Sequence, residues 1–226
     1  FGYEMGPFET WDAIGFENGL NALKSDGVAY SPWIDAMHEK GAKSFYRIED
    51  GKRQFWNQAT NKYSDIPGQE GLVNLQVAKS KGVLWQNAGT TISDLGDGIL
   101  NVEFHTKMNT IGGEVLAGLN KAIDMAEADY EGLVVYNEGG NFSAGANVGL
   151  IFMMAAEQEM DELDFAVRQF QQTMMRMRYS SIPVVAAPHN LALGGGCELC
   201  LHADKVVAHA ELYMGLVEFG VGVIPG

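Results

Sequence analysis

The chain has 226 residues, 46% apolar, 10% aromatic and 19% charged, a composition that fits a packed globular protein and excludes a disordered, collagen-like or low-complexity chain. Fifteen Lys and Arg stand against 29 Asp and Glu, for a formal charge of −14, which argues against nucleic acid or an anionic membrane as the main partner, because both bind through clustered cations. No apolar run is long enough to cross a bilayer, and Cys197 and Cys200 are too close in sequence to staple distant parts, so a cytoplasmic protein without a disulfide framework is expected.

The chain starts at Phe1 rather than Met and stops at Gly226, so both ends are expected to be cuts in something longer. Residues 1–44 read as short helices, with Trp11, Ile14, Leu20, Leu23, Trp33, Ile34 and Met37 as apolar stripes, Pro32 near a helix start and Gly41 as a stop. Residues 45–88 read as a connector. Its aromatic runs 44–48 and 53–57 flank Glu49-Asp50-Gly51-Lys52, a hairpin signal, and residues 72–80 read as a helix. Charge divides unevenly: residues 1–88 carry nine basic and eleven acidic side chains, and residues 89–226 carry six and eighteen.

From residue 89 onward strands and helices alternate. Runs 90–95 and 99–104 pair across Gly96-Asp97-Gly98, and Val115, Leu116, Leu119, Ala122, Ile123 and Ala126 mark one helix face. Residues 133–136 read as a buried strand leading to a glycine-rich turn at 139–145. Leu163, Ala166, Val167, Phe170, Met174 and Met177 form a second helical stripe, with Asp161 as its expected cap. Strands at 183–187 and 206–208 bracket a third helix. This alternation predicts an α/β domain with ligand sites at strand ends.

Two segments carry chemistry. In Ala192-Leu193-Gly194-Gly195-Gly196-Cys197-Glu198-Leu199, three glycines at a strand-to-helix turn expose backbone amides at a positive helix end. In Phe142-Ser143-Ala144-Gly145-Ala146-Asn147, glycine and small residues again lie between a strand and a helix, so the two turns are able to converge on one ligand oxygen.

Those two segments, followed by Glu218 and then Gly222-Val223-Ile224-Pro225-Gly226, closely resemble the crotonase (enoyl-CoA hydratase/isomerase) superfamily over roughly residues 89–226. The resemblance implies a crotonase-like spiral of ββα units, truncated at its C-terminus and preceded by the helical segment and hairpin connector. It implies that the amides of Ala146 and Gly195 form an oxyanion hole for an acyl-CoA thioester, with Ala144, Gly145, Gly194 and Gly196 lining the substrate. Glu198 and Glu218 then hold the positions of the two catalytic carboxylates, assigned here as water-activating base and Cα proton donor. Retaining both favours hydration over double-bond isomerisation, the alternative within the superfamily. A noncatalytic interaction module is the alternative of another class. Two departures stand out: Asn190 replaces a usual glycine, and Asn147 a frequent aspartate.

Gly6-Pro7-Phe8-Glu9-Thr10-Trp11-Asp12-Ala13-Ile14-Gly15 resembles the helical C-terminal domain of 3-hydroxyacyl-CoA dehydrogenases, an order found in fused β-oxidation enzymes. That resemblance implies an NAD-binding domain upstream, no cofactor or metal within this chain, a coenzyme A thioester as substrate and a homo-oligomeric parent. A rival reading takes Cys197-Glu198-Leu199-Cys200, with His189 and His202 nearby, as a redox or zinc site. Lys107, Arg176 and Arg178 are candidate cations for the coenzyme A phosphates.

Overall fold

The computed structural model describes residues 5–69 and 71–225, in two compact units that divide after Lys81. In the first unit, α1 (Pro7–Ile14), α2 (Phe16–Ser25) and α3 (Trp33–Glu39) precede a sheet of β1 (Tyr46–Glu49), β2 (Lys52–Asn57) and β3 (Lys62–Asp65), and α4 (Leu75–Lys81) closes it. The expected hairpin is β1–β2, antiparallel, turning at Asp50 and Gly51 with φ of 52° and 71°, the paired left-handed residues of a type I′ turn. The division expected at residue 44 gives way because helices and sheet share one core: Phe16, Leu20, Ile34 and Met37 from the helices meet Phe45 and Trp56. Asp12 fastens the two parts, accepting from the amides of Phe45 at 2.7 Å and Tyr46 at 2.9 Å.

The second unit begins with β4 (Val83–Gln86), antiparallel to β5 (Thr90–Gly96). That pairing moves residues 82–88 out of the expected connector. β6 (Ile99–Phe104) returns antiparallel to β5, and β7 (Gly132–Val135), β8 (Val184–Ala186) and β10 (Lys205–Val206) follow in parallel, giving six strands in the order β10-β8-β7-β6-β5-β4. A second, two-stranded parallel sheet joins β9 (Leu191–Leu193) to β11 (Tyr213–Gly215). The first turn lays both β5 and β6 in the large sheet before α5 (Gly113–Asp129), whereas the later turns lay one strand in the large sheet and the next in the small one: β8, β9, then α8 (Gly195–His202); β10, β11, then a 3₁₀ turn (Glu218–Val221). β7 follows the same course, with Ser143 bridging Ala192 ahead of α6 (Val148–Ala156) and α7 (Met160–Arg178). This is the spiral of ββα units that the sequence implied.

α5 (Gly113–Asp129) buries the whole of its expected stripe, and full burial of a side chain such as Val115, Leu119 or Ile123 contributes roughly 1.5–3 kcal/mol. α7 departs from expectation. Met174 and Met177 are buried but Val167 is exposed, so only its C-terminal half faces the core. Its N-cap is Glu159, without a side-chain cap bond; Asp161, expected to cap, sits inside the first turn. There its charge favours the positive helix end without bonding it.

Candidate active site

Both motif turns hang from the small sheet. The Ser143 amide donates to the Leu191 carbonyl and the Leu193 amide to the Ser143 carbonyl, each at 2.9 Å, so residues 143–146 run beside 191–195. Gly145 has φ +82°, and a Cβ there would lie 2.6 Å from the Leu193 carbonyl oxygen and 3.0 Å from the Gly195 nitrogen; a Cβ on Gly195 would lie 3.7 Å from the Ala146 nitrogen. The Ala146 and Gly195 amides are therefore brought together. Among the described residues neither donates a hydrogen bond within the chain. Gly195 is the first residue of α8, where an amide has no intrahelical acceptor and the helix dipole favours negative charge. Gly194 makes the approach with φ 51° and ψ −121°, a backbone region essentially closed to side chains.

β11, held against β9, carries the chain to Glu218. Its Oε1 lies 2.9 Å from where a Gly194 Cβ would sit, and its Oε2 is buried with no hydrogen-bond partner. Glu198 lies in the first turn of α8 and is half-buried. Burial above all, and then the charges of Glu218 and Glu198, push the Cys197 thiol up. The chemical capacity is plain: two converging donors for an oxygen that gains charge, beside carboxylates able to take and give protons.

Residues 94–226 match the family model described as enoyl-CoA hydratase/isomerase. The chain belongs to the enoyl-CoA hydratase/isomerase family. Among relatives of this family member, a Bacillus subtilis protein described as a probable 3-hydroxyacyl-CoA dehydrogenase is 43% identical across all of this chain, which spans 28% of that protein's length. The fatty acid oxidation complex subunit alpha of Psychrobacter cryohalolentis is 30% identical over 64% of this chain and 21% of its own. Among solved structures, an enoyl-CoA hydratase of Thermoplasma volcanium superposes with a TM-score of 0.53 at 28% identity, covering 61% of this chain and 54% of that one. The chain thus spans about a quarter of the length of these curated relatives and about half of that solved structure.

The remaining expected residues of the family member's site divide. Ala144 is held by its amide on the Met108 carbonyl at 3.1 Å, next to the turn. Gly196 faces protein rather than open space, since a Cβ there would lie 2.8 Å from that of Ser143. Asn190 adopts the left-handed φ of 52° that its usual glycine would, and its amide group bonds the Gly140 carbonyl and the Asn141 side chain at 2.6 and 2.8 Å. Asn147 caps α6, accepting from the Leu150 amide at 3.2 Å. Arg176 is engaged elsewhere, paired with Glu127 and Asp124. The redox reading of Cys197 and Cys200 loses its basis: both are buried and free, and burial pushes the Cys200 thiol up to about 12, opposite to what a reactive thiol needs. Among the described residues no cluster of His, Cys, Asp and Glu is arranged to hold a metal, and no helix is long and apolar enough to cross a membrane.

Sequence reasoning missed the polar supports of the turns. Asn137, fully buried, accepts from the Phe104 amide at 2.5 Å and donates to the Phe142 carbonyl at 2.7 Å. Asn109 donates to the Asn141 carbonyl at 2.9 Å. The signal for these was faint: asparagines beside the ends of apolar runs. Phe170, seen only as part of a helical stripe, packs within 3.2 Å of the Gly195 Cβ position.

Proposed function

We propose that the second unit adds water reversibly to a trans-2-enoyl-CoA, giving a 3-hydroxyacyl-CoA. One observation carries this reading: two main-chain donors without acceptors converge beside a buried carboxylate oxygen without a partner. Conjugate addition of water develops negative charge on the thioester oxygen, and donors fixed in place beforehand stabilise that charge without reorganising. The amides of Ala146 and Gly195 take this oxygen, with Gly145 and Gly194 shaping the turn that admits it. Glu198 removes a proton from water as its oxygen bonds to Cβ, and Glu218 as the acid delivers a proton to Cα. In the reverse direction the two exchange roles. The retention of both glutamates supports hydration over isomerisation.

The relatives' names support a wider reading, in which this hydratase belongs to a multifunctional fatty-acid oxidation enzyme whose dehydrogenase oxidises the product with NAD. The first unit is then read as the end of that dehydrogenase's helical domain, with NAD held elsewhere in the longer enzyme.

Turnover of crotonoyl-CoA by the complete natural protein, followed at the loss of enoyl absorbance, tests the reading. Glu198→Gln and Glu218→Gln are each expected to lower kcat by about 10²–10⁴-fold with coenzyme A binding largely intact. A wild-type protein without turnover overturns hydration, and variants as active as wild type overturn the assignment of the glutamates.

A further inference from the structure

The oxyanion turn is not held by its own strand alone. A loop far upstream in the sequence lies against it and fixes two successive peptide planes. The Gly145 amide donates to Ser143 Oγ at 3.1 Å, and that hydroxyl donates in turn to the Asn109 carbonyl at 2.7 Å. The next plane is gripped from its carbonyl side, where Gly145 O accepts from the Ile111 amide at 2.9 Å. In a trans peptide the N–H points opposite to the C=O, so pinning Gly145 O on Ile111 turns the Ala146 N–H away from that loop and toward Gly195.

The supporting loop is itself under strain. Met108 and Asn109 both have left-handed φ, 56° and 51°, which costs energy at non-glycine residues and persists only where the surroundings enforce it. The enforcing bonds are the Met108 carbonyl accepting from the Ala144 amide at 3.1 Å and the Asn109 side chain on the Asn141 carbonyl. Every one of these ties ends on the oxyanion turn or the residues leading to it. Ser143 is fully buried and has Gly196 packed against its Cβ and Oγ, so its hydroxyl is confined to this bridge.

We propose that Ser143 is a positioning residue for thioester activation: its hydroxyl couples the strained 108–111 loop to the Gly145 peptide and thereby aims the Ala146 amide at the substrate oxygen. The proposal rests on the hydratase reading of the site and adds a residue that touches neither substrate nor reacting atoms. Removing the hydroxyl leaves the Gly145 amide and Asn109 carbonyl unpaired and frees one of the two peptide planes. Activation of the carbonyl then suffers more than binding does, because binding draws on the rest of the coenzyme A thioester.

The test compares wild type, Ser143→Ala and Ser143→Cys in the complete natural protein, with crotonoyl-CoA kinetics and the absorbance of bound 3-phenylpropenoyl-CoA. The absorbance moves to the red as its thioester carbonyl is polarised. Expected for Ser143→Ala is a fall in kcat of about 10- to 100-fold, below the ~10²–10³-fold that losing a donor outright costs. KM is expected to stay within about threefold and the red shift of the bound probe to shrink; Ser143→Cys falls between. Unchanged kcat and unchanged red shift in Ser143→Ala overturn the proposal even if its Tm drops, because a purely structural serine would behave in that way. If Ser143→Ala does not fold, the same two readouts decide on Ser143→Cys, where wild-type values overturn it. A wild-type protein with neither turnover nor red shift overturns the hydratase reading and this proposal with it, whereas a normal wild type beside an indifferent variant overturns this proposal alone.

Discussion

Phe45 in the first unit and Gly195 in the second are both buried residues where distant segments meet, yet they are built to opposite ends. The Phe45 ring touches those of Phe8, Trp11, Phe16 and Trp33, with centroids 4.6–5.8 Å apart, and its amide is bonded to Asp12. Around Gly195 the chain is packed just as closely, but two amides are left open and a carboxylate oxygen is buried unpaired. An unpaired buried polar group costs on the order of 1–3 kcal/mol. Such costs gather around Gly195, which supports the proposed ligand oxygen there. Among the described residues of the first unit, the one buried side-chain donor without a partner is Trp56 Nε1, which lies beside the Tyr63 ring.

The comparison is broken most forcefully at glycine. Gly145→Ala places a methyl 2.6 Å from the backbone oxygen of Leu193 at φ +82°. Because a displacement of about 1 Å at a reacting centre costs on the order of 10²-fold, a kcat loss of at least that size is expected, read on crotonoyl-CoA. Gly27→Ala in the first unit also has a positive φ, +65°, but nothing lies within 4 Å, so about 1–2 kcal/mol of stability is the whole expected effect. Equal losses of activity in the two variants would erase the distinction.

Phe45→Ala probes the other side. Truncating the ring on which four aromatics converge is expected to lower stability by about 3–5 kcal/mol, measured by denaturant unfolding with tryptophan fluorescence, since Trp11, Trp33 and Trp56 share its unit. The smallest effect is electrostatic. Hydrogen bonds from Arg176 foremost, and from the Ser181 amide, hold the Glu127 carboxyl at about 2, well below its ordinary 4.5. A carboxyl lowered in the folded state stabilises fully above about pH 4.5, and that stabilisation is lost as the pH falls toward 2. Glu127→Gln is therefore expected to cost no more than about 1 kcal/mol at neutral pH and to flatten the acid limb of a Tm-against-pH curve.

Much of this architecture is legible in the amino-acid order because local chemistry decides it. Asp50-Gly51 turns a hairpin wherever aromatic runs flank it, the α5 stripe has helical spacing throughout, and the glycines at 145 and 194–196 mark where backbones meet. What stayed hidden depends on partners distant in sequence. β9 and β11 have three residues each, too few to show alternation, and exist because they pair with each other. β3, Lys-Tyr-Ser-Asp, is a polar edge strand without an apolar rhythm. The Ser143–Asn109 bond spans 34 residues, and nothing near either residue announces the other. The helical stripe of α7 read too long for a like reason: only its second half has a core to meet.

The contact between Gly196 and Ser143 has an evolutionary corollary. A Cβ at Gly196, in the first turn of α8, would lie 2.8 Å from that of Ser143, and the two residues stand beside the two halves of the proposed donor pair. Neither segment is therefore free to drift alone. A lineage that retuned this centre would have to change both together, through a narrow set of paired substitutions.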